Sequence, residues 1–99
     1  LTELCLPSCI TIGEDAFFDS ALKRISLPAV KTIASGAFQL CDLLKTVLIP
    51  VVETIGSCAF RGCSDLEEIY ISEGINLDDY FPIRTGKTKV MKIVSTIII

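Results

Sequence analysis

The 99-residue sequence predicts a repeat solenoid, with short parallel strands stacked into a β-sheet on its concave side and short turns or 3-10 segments on the other. Three observations predict it. Apolar residues recur in the same columns every 21 or 22 residues. A proline follows the last strand column in three successive blocks, and each block then carries one Thr-Ile pair and one Ala-Phe pair.

The blocks begin at Leu1, Leu22, Leu44 and Leu66. Leu4, Ile25, Val47 and Ile69 form the second column, and Leu6, Leu27, Ile49 and Ile71 the third. Residues two apart on a strand share a face, so these two columns point into one interior. Pro7, Pro28 and Pro50 come next; proline has no N–H for the ladder, so the strand should end there. Thr11-Ile12, Thr32-Ile33 and Thr54-Ile55 suit a second short extended stretch, followed by the small residues Gly13, Ala34 and Gly56 where the chain turns. Ala16-Phe17, Ala37-Phe38 and Ala59-Phe60 then bring one ring per block inward. A block of this size cannot enclose a core alone, but stacked copies can. Four coils are read over 1–21, 22–43, 44–65 and a degenerate 66–83, with 84–99 an irregular basic loop and a C-terminal strand or cap.

Composition narrows the chemistry. The chain has no His and no Trp, which removes His-based acid–base, nucleophilic and metal-binding arrangements. A net charge of -3 and a pI near 4.8 argue against a phosphate-binding surface, so no nucleic-acid partner is expected. The carboxylate pairs Glu14-Asp15, Glu67-Glu68 and Asp78-Asp79 read as solvated surface, because neighbours on a strand face opposite ways. Gly86-Lys87-Thr88 lacks the upstream glycine of a phosphate loop. Neither catalytic residues nor a cofactor are expected. The chain begins at Leu1 without a basic stretch and cleavage site, and so reads as a segment of a longer or processed protein.

The block L-x-x-I-x-L-P-x-V-x-T-I-x-x-x-A-F-x-x-C-x-x resembles the BspA-like leucine-rich repeat, and the likeness runs through residues 1–71 without a break. It implies a right-handed curved solenoid, found on bacterial surfaces and in some protists, used for binding and adhesion rather than catalysis. The resemblance favours a cell-surface or secreted location; a cytoplasmic one is the alternative, since free thiols suit a reducing interior.

Five cysteines leave three readings open: structural thiols, one disulfide such as Cys41–Cys63, or a metal or redox role. The repeat accounts for Cys41 and Cys63 three residues after the Phe, and for Cys9 in the column of Val30 and Val52, as small buried hydrophobes. Cys5 should face outward from the sheet and Cys58 should lie near the surface. No His completes a zinc set.

The outward strand positions form the expected ligand face: Glu3 and Cys5, Arg24 and Ser26, Thr46 and Leu48, Glu68 and Tyr70, with Thr2, Lys23, Lys45 and Glu67 beside them. These positions vary between blocks while the inward columns recur. Leu48 and Tyr70, adjacent in one column, are read as an exposed anchor for a protein ligand, with Lys23, Arg24 and Lys45 as a basic cluster next to it.

The end of the chain departs from the pattern. Residues 1–83 carry 5 basic and 12 acidic groups, whereas Arg84, Lys87, Lys89 and Lys92 make the remainder basic. Val94, Ile97 and Ile99 fit the strand frame 28 residues after Leu66, which predicts a longer loop and then a fifth strand; a hairpin or capping strand over Lys89–Ile99 is the alternative. A basic β-branched end fits a cap, a homo-oligomer edge through Val90–Ile99, or a weak membrane contact, the last being the least expected.

Overall fold

A computed structural model describes residues 2–76 and 89–93 of the chain. Two parallel sheets run along it. β1 (Glu3–Cys5), β3 (Arg24–Ser26), β5 (Thr46–Ile49), β7 (Glu68–Ser72) and β8 (Lys89–Ile93) form the larger sheet, in that order. β2 (Thr11–Ile12), β4 (Thr32–Ile33) and β6 (Thr54–Ile55) form the smaller one. Each coil therefore contributes one strand to each sheet through β6, and the stack is a β-solenoid with no helix among the described residues. The short 3-10 segments allowed for on the far side are hydrogen-bonded turns instead.

The register follows the columns read from the sequence. Leu4 lies opposite Ile25, Ile25 opposite Val47 and Val47 opposite Ile69, and Ile12, Ile33 and Ile55 align in the second sheet. Ile25, Leu27, Ile33, Val47, Ile49, Ile69 and Ile71 are fully buried. Leu22, Leu44 and Leu66 are buried too; Leu1 lies outside the described residues. The rings of Phe17, Phe38 and Phe60 stack in a ladder, with centroids 5.4 and 5.3 Å apart and planes inclined by 6° and 12°. That separation falls in the attractive range for aromatic pairs.

Proline decides where a strand ends. The Cys9, Val30 and Val52 N–H groups donate to the carbonyls of Leu6, Leu27 and Ile49 and close a turn with Pro7, Pro28 or Pro50 at its second position. Ser72 stands in that slot in the fourth coil. β7 runs on through it, and the turn moves one residue along, with Ile75 N–H donating to Ser72 O. The Ser72 hydroxyl donates back to the carbonyl of Val52.

The turn side is also tied coil to coil. Asp15, Phe17 and Asp19 N–H donate to Ser35, Ala37 and Gln39 O, and Gly36, Phe38 and Leu40 N–H to Ser57, Ala59 and Arg61 O. Two columns there need left-handed backbone: Asp15, Gly36 and Cys58 (φ 51°, 67° and 59°), and Asp19, Leu40 and Gly62 (φ 53°, 61° and 81°). Glycine meets that demand without strain, and Asp tolerates it better than other side chains do.

The fifth strand corrects the expectation for the chain's end. β8 pairs with β7 with Glu68 opposite Lys89 and Ile69 opposite Val90, a step of 21 residues. Val90, not Ile97, occupies the second column, and it packs partly buried against the core. Over Lys89–Ile93 the chain forms a strand parallel to β7, not a hairpin with it. Val94, Ile97 and Ile99, Asp78-Asp79 and Gly86-Lys87-Thr88 lie outside the described residues.

Candidate functional site

The pleat of the larger sheet sends Leu4, Ile25, Val47 and Ile69 inward, and hence their strand neighbours outward. The pairing sets Glu3, Arg24, Thr46, Glu68 and Lys89 side by side in one outward row, and Cys5, Ser26, Leu48, Tyr70 and Met91 in the next. All eight outward strand residues singled out in the sequence thus fall on one face. Lys89 and Met91 were missed, because the frame at the chain's end was read from Val94 onward. Met91 is 45% exposed and extends the apolar end of the second row.

Two expectations for this face change. Leu48 and Tyr70 are half-buried rather than exposed, because each sits between neighbouring strands that cover its flanks. Two members of the basic cluster are held in ion pairs. Lys45 Nζ lies 2.7 Å from Asp65 Oδ2 and 3.2 Å from Glu67 Oε2, while Arg24 Nη1 stands 3.9 Å from Glu3 Oε1. The hydrogen bonds to Asp65 and then Glu67 raise the Lys45 ammonium above its ordinary range. Tyr70 Oη donates to Glu68 Oε2 at 2.7 Å, which raises the phenol's pKa and pins the ring along the strand. Lys23 carries no ion pair among the described residues.

The cysteines stand as five free thiols. Cys5 and Cys58 are exposed, as their columns predict. Cys41 and Cys63 are buried, and each donates its thiol to the carbonyl of the Phe one coil earlier, at 3.2 Å to Phe17 O and 3.2 Å to Phe38 O. This column latches successive turns. Burial pushes the Cys63 thiol up to about 12, so it is neutral at physiological pH and suited to structure rather than nucleophilic attack. Cys9 is half-buried because no coil covers its outer side among the described residues. No group of three or more His, Cys, Asp or Glu side chains converges as a metal site among the described residues.

This surface thus offers two mixed rows of side chains along the larger sheet. Small and charged groups lie over β1 and β3, and an apolar strip with a tethered Tyr lies over β5 to β8. Comparison with curated proteins finds no match, and neither does comparison with solved structures. The family model described as "BspA type Leucine rich repeat region (6 copies)" matches residues 1–97. The stacked parallel coils, the proline turn and the Phe ladder are thus those of a chain that belongs to the BspA-type leucine-rich repeat family.

Proposed function

We propose that this chain is a non-catalytic protein-binding module, the repeat segment of an adhesin-like protein at the cell surface or secreted. The ligand is a protein that lies across the larger sheet. The observation that carries the reading is the contrast between the buried columns, which repeat from coil to coil, and the outward rows, which change at every strand while staying in register. Leu48 and Tyr70, half-buried, with the exposed Met91 beside them, form the anchor, since side chains pre-set by their neighbours lose little entropy on binding. Glu3, Cys5, Lys23, Arg24, Ser26, Lys45, Thr46 and Glu68 form the polar surround.

The test is a binding assay of the chain against immobilised extracellular-matrix proteins. A Leu48→Ala/Tyr70→Ala double variant should lose binding while its melting curve stays within a few degrees of the parent. Retained binding by a folded double variant would move the ligand off this face. A second reading is assembly through the solenoid ends, Leu1–Leu6 and Val90–Ile99, since β1 and β8 are the outer strands of the larger sheet among the described residues. Sedimentation equilibrium separates the two, because a strict monomer at high concentration removes the assembly reading.

A further inference from the structure

The central strand of the larger sheet, β5, divides its outward rows into halves that complement each other. The first row runs Glu3, Arg24, Thr46, Glu68, Lys89. Its charges read negative, positive, neutral, negative, positive, so reversing the row about Thr46 sets every charge against its opposite. The second row runs Cys5, Ser26, Leu48, Tyr70, Met91. Reversed about Leu48, it sets Tyr70 over Ser26 and Met91 over Cys5, a large side chain over a small one at each step. The strands pair in direct register, so the steps on the two halves match at about 4.8 Å each.

One symmetry operation performs both reversals face to face. A two-fold axis between two such sheets, parallel to β5, keeps the strand direction and reverses the strand order. Arg24 of one copy then meets Glu68 of the other, Glu3 meets Lys89, and Leu48 meets Leu48 on the axis. An axis along the rows would instead set Glu3 on Glu3 and Arg24 on Arg24, and like charges disfavour it. Glu3, Arg24 and Lys89 are exposed and Glu68 is half-buried. The Arg24–Glu3 pair within one chain is 3.9 Å long with both side chains more than half in water, so it leaves both groups able to bond a partner. In the flanking row Lys23 falls opposite Glu67, while Lys45 on the axis is already balanced by Asp65 and Glu67.

We propose, resting on the reading of this sheet face as a protein-binding surface, that its partner is a second copy of the chain, packed face to face about a two-fold axis along β5. The charged row sets the orientation, and Leu48 with Tyr70 and Met91 supplies the apolar contact. Five strands span only about 19 Å, which makes the dimer weak and reversible rather than permanent.

Sedimentation equilibrium of the chain and two charge-reversed variants tests this. The parent should show a monomer–dimer equilibrium that weakens as salt rises from about 0.05 to 0.5 M, because the charges are screened. Arg24→Glu and Glu68→Arg should each weaken dimerisation at least about tenfold, since each sets like charges against one another twice across the axis. An equimolar mixture of the two variants should restore it, because every such contact is then again between opposite charges. Both variants should melt within a few degrees of the parent, as neither side chain belongs to the core. A parent that stays monomeric, a dimer indifferent to either substitution, or a mixture no tighter than its components would each overturn the assignment. The broader reading fails separately: a monomeric parent whose matrix-protein binding is lost in Leu48→Ala/Tyr70→Ala removes the second copy as partner and keeps the binding face.

Discussion

Coil 1 and coil 2 are built from nearly the same columns and end in different states. Ile25, Leu27, Val30 and Phe38 of coil 2 are fully buried, whereas Leu4 keeps 8% of its surface and Leu6, Cys9 and Phe17 are only half-buried. Local sequence does not account for this; Leu4 is as apolar as Ile25. Coil 2 has a neighbour on both sides and coil 1 has one among the described residues. In a solenoid, an inward side chain acquires its stabilising energy from the coils above and below.

The sharpest test of that contrast is the Phe ladder. Phe38→Ala should cost about 3–5 kcal/mol in urea or thermal unfolding, because the ring is stacked on both faces and its removal leaves a cavity. Phe17→Ala, stacked on one face and half-exposed, should cost about half as much. Equal losses would mean that the second stacking neighbour adds nothing to a ring's stability.

Alkaline pH should loosen the latch between inner coils next. The Cys63 thiol sits at about 12 against an ordinary value of 9.0, so the unfolded chain releases that proton first as pH rises. The stabilisation is complete below pH 9 and falls by about 1.4 kcal/mol per unit above it, until the folded thiol also ionises. Lys45 and Tyr70, both raised, act in the same direction. Melts from pH 8 to 11 check this, and Cys63→Ala should flatten much of the slope.

The left-handed columns give smaller effects of opposite sign. Gly36→Ala should cost about 1–2 kcal/mol, since φ is 67° and the new Cβ would meet the Asp15 carboxylate. Cys58→Gly, at φ 59° and exposed, should raise stability by up to about 1 kcal/mol. Chemical denaturation of the two variants measures both, and a loss in Cys58→Gly would show that its thiol is not idle.

Much of this was legible in the chain. The inward columns, the proline stop and the Phe ladder are periodic, and periodicity survives any uncertainty about one residue. The left-handed columns were not legible, because Asp15, Gly36 and Cys58 share no side-chain property, only a φ. The end of the sheet was misread for a related reason. Val94, Ile97 and Ile99 match the apolar template better than Val90 does, and Lys92 stands opposite Ile71. β8 is the outermost strand among the described residues, and the circumference of the coil brings the chain back after 21 residues. The outward rows lie in register on one side of the sheet, as the pleat dictates, but their ion pairs were not legible, since Lys45 reaches Asp65 and Glu67 on the next coil.

The period, the identity of the buried columns and the strand ends follow from residue type and spacing alone, because β pleat and proline chemistry act within a few residues. The depth of burial of each ring, the partner of each charge and the register of β8 came from the stack. Each depends on which coil lies next to it, and that adjacency joins residues about twenty positions apart.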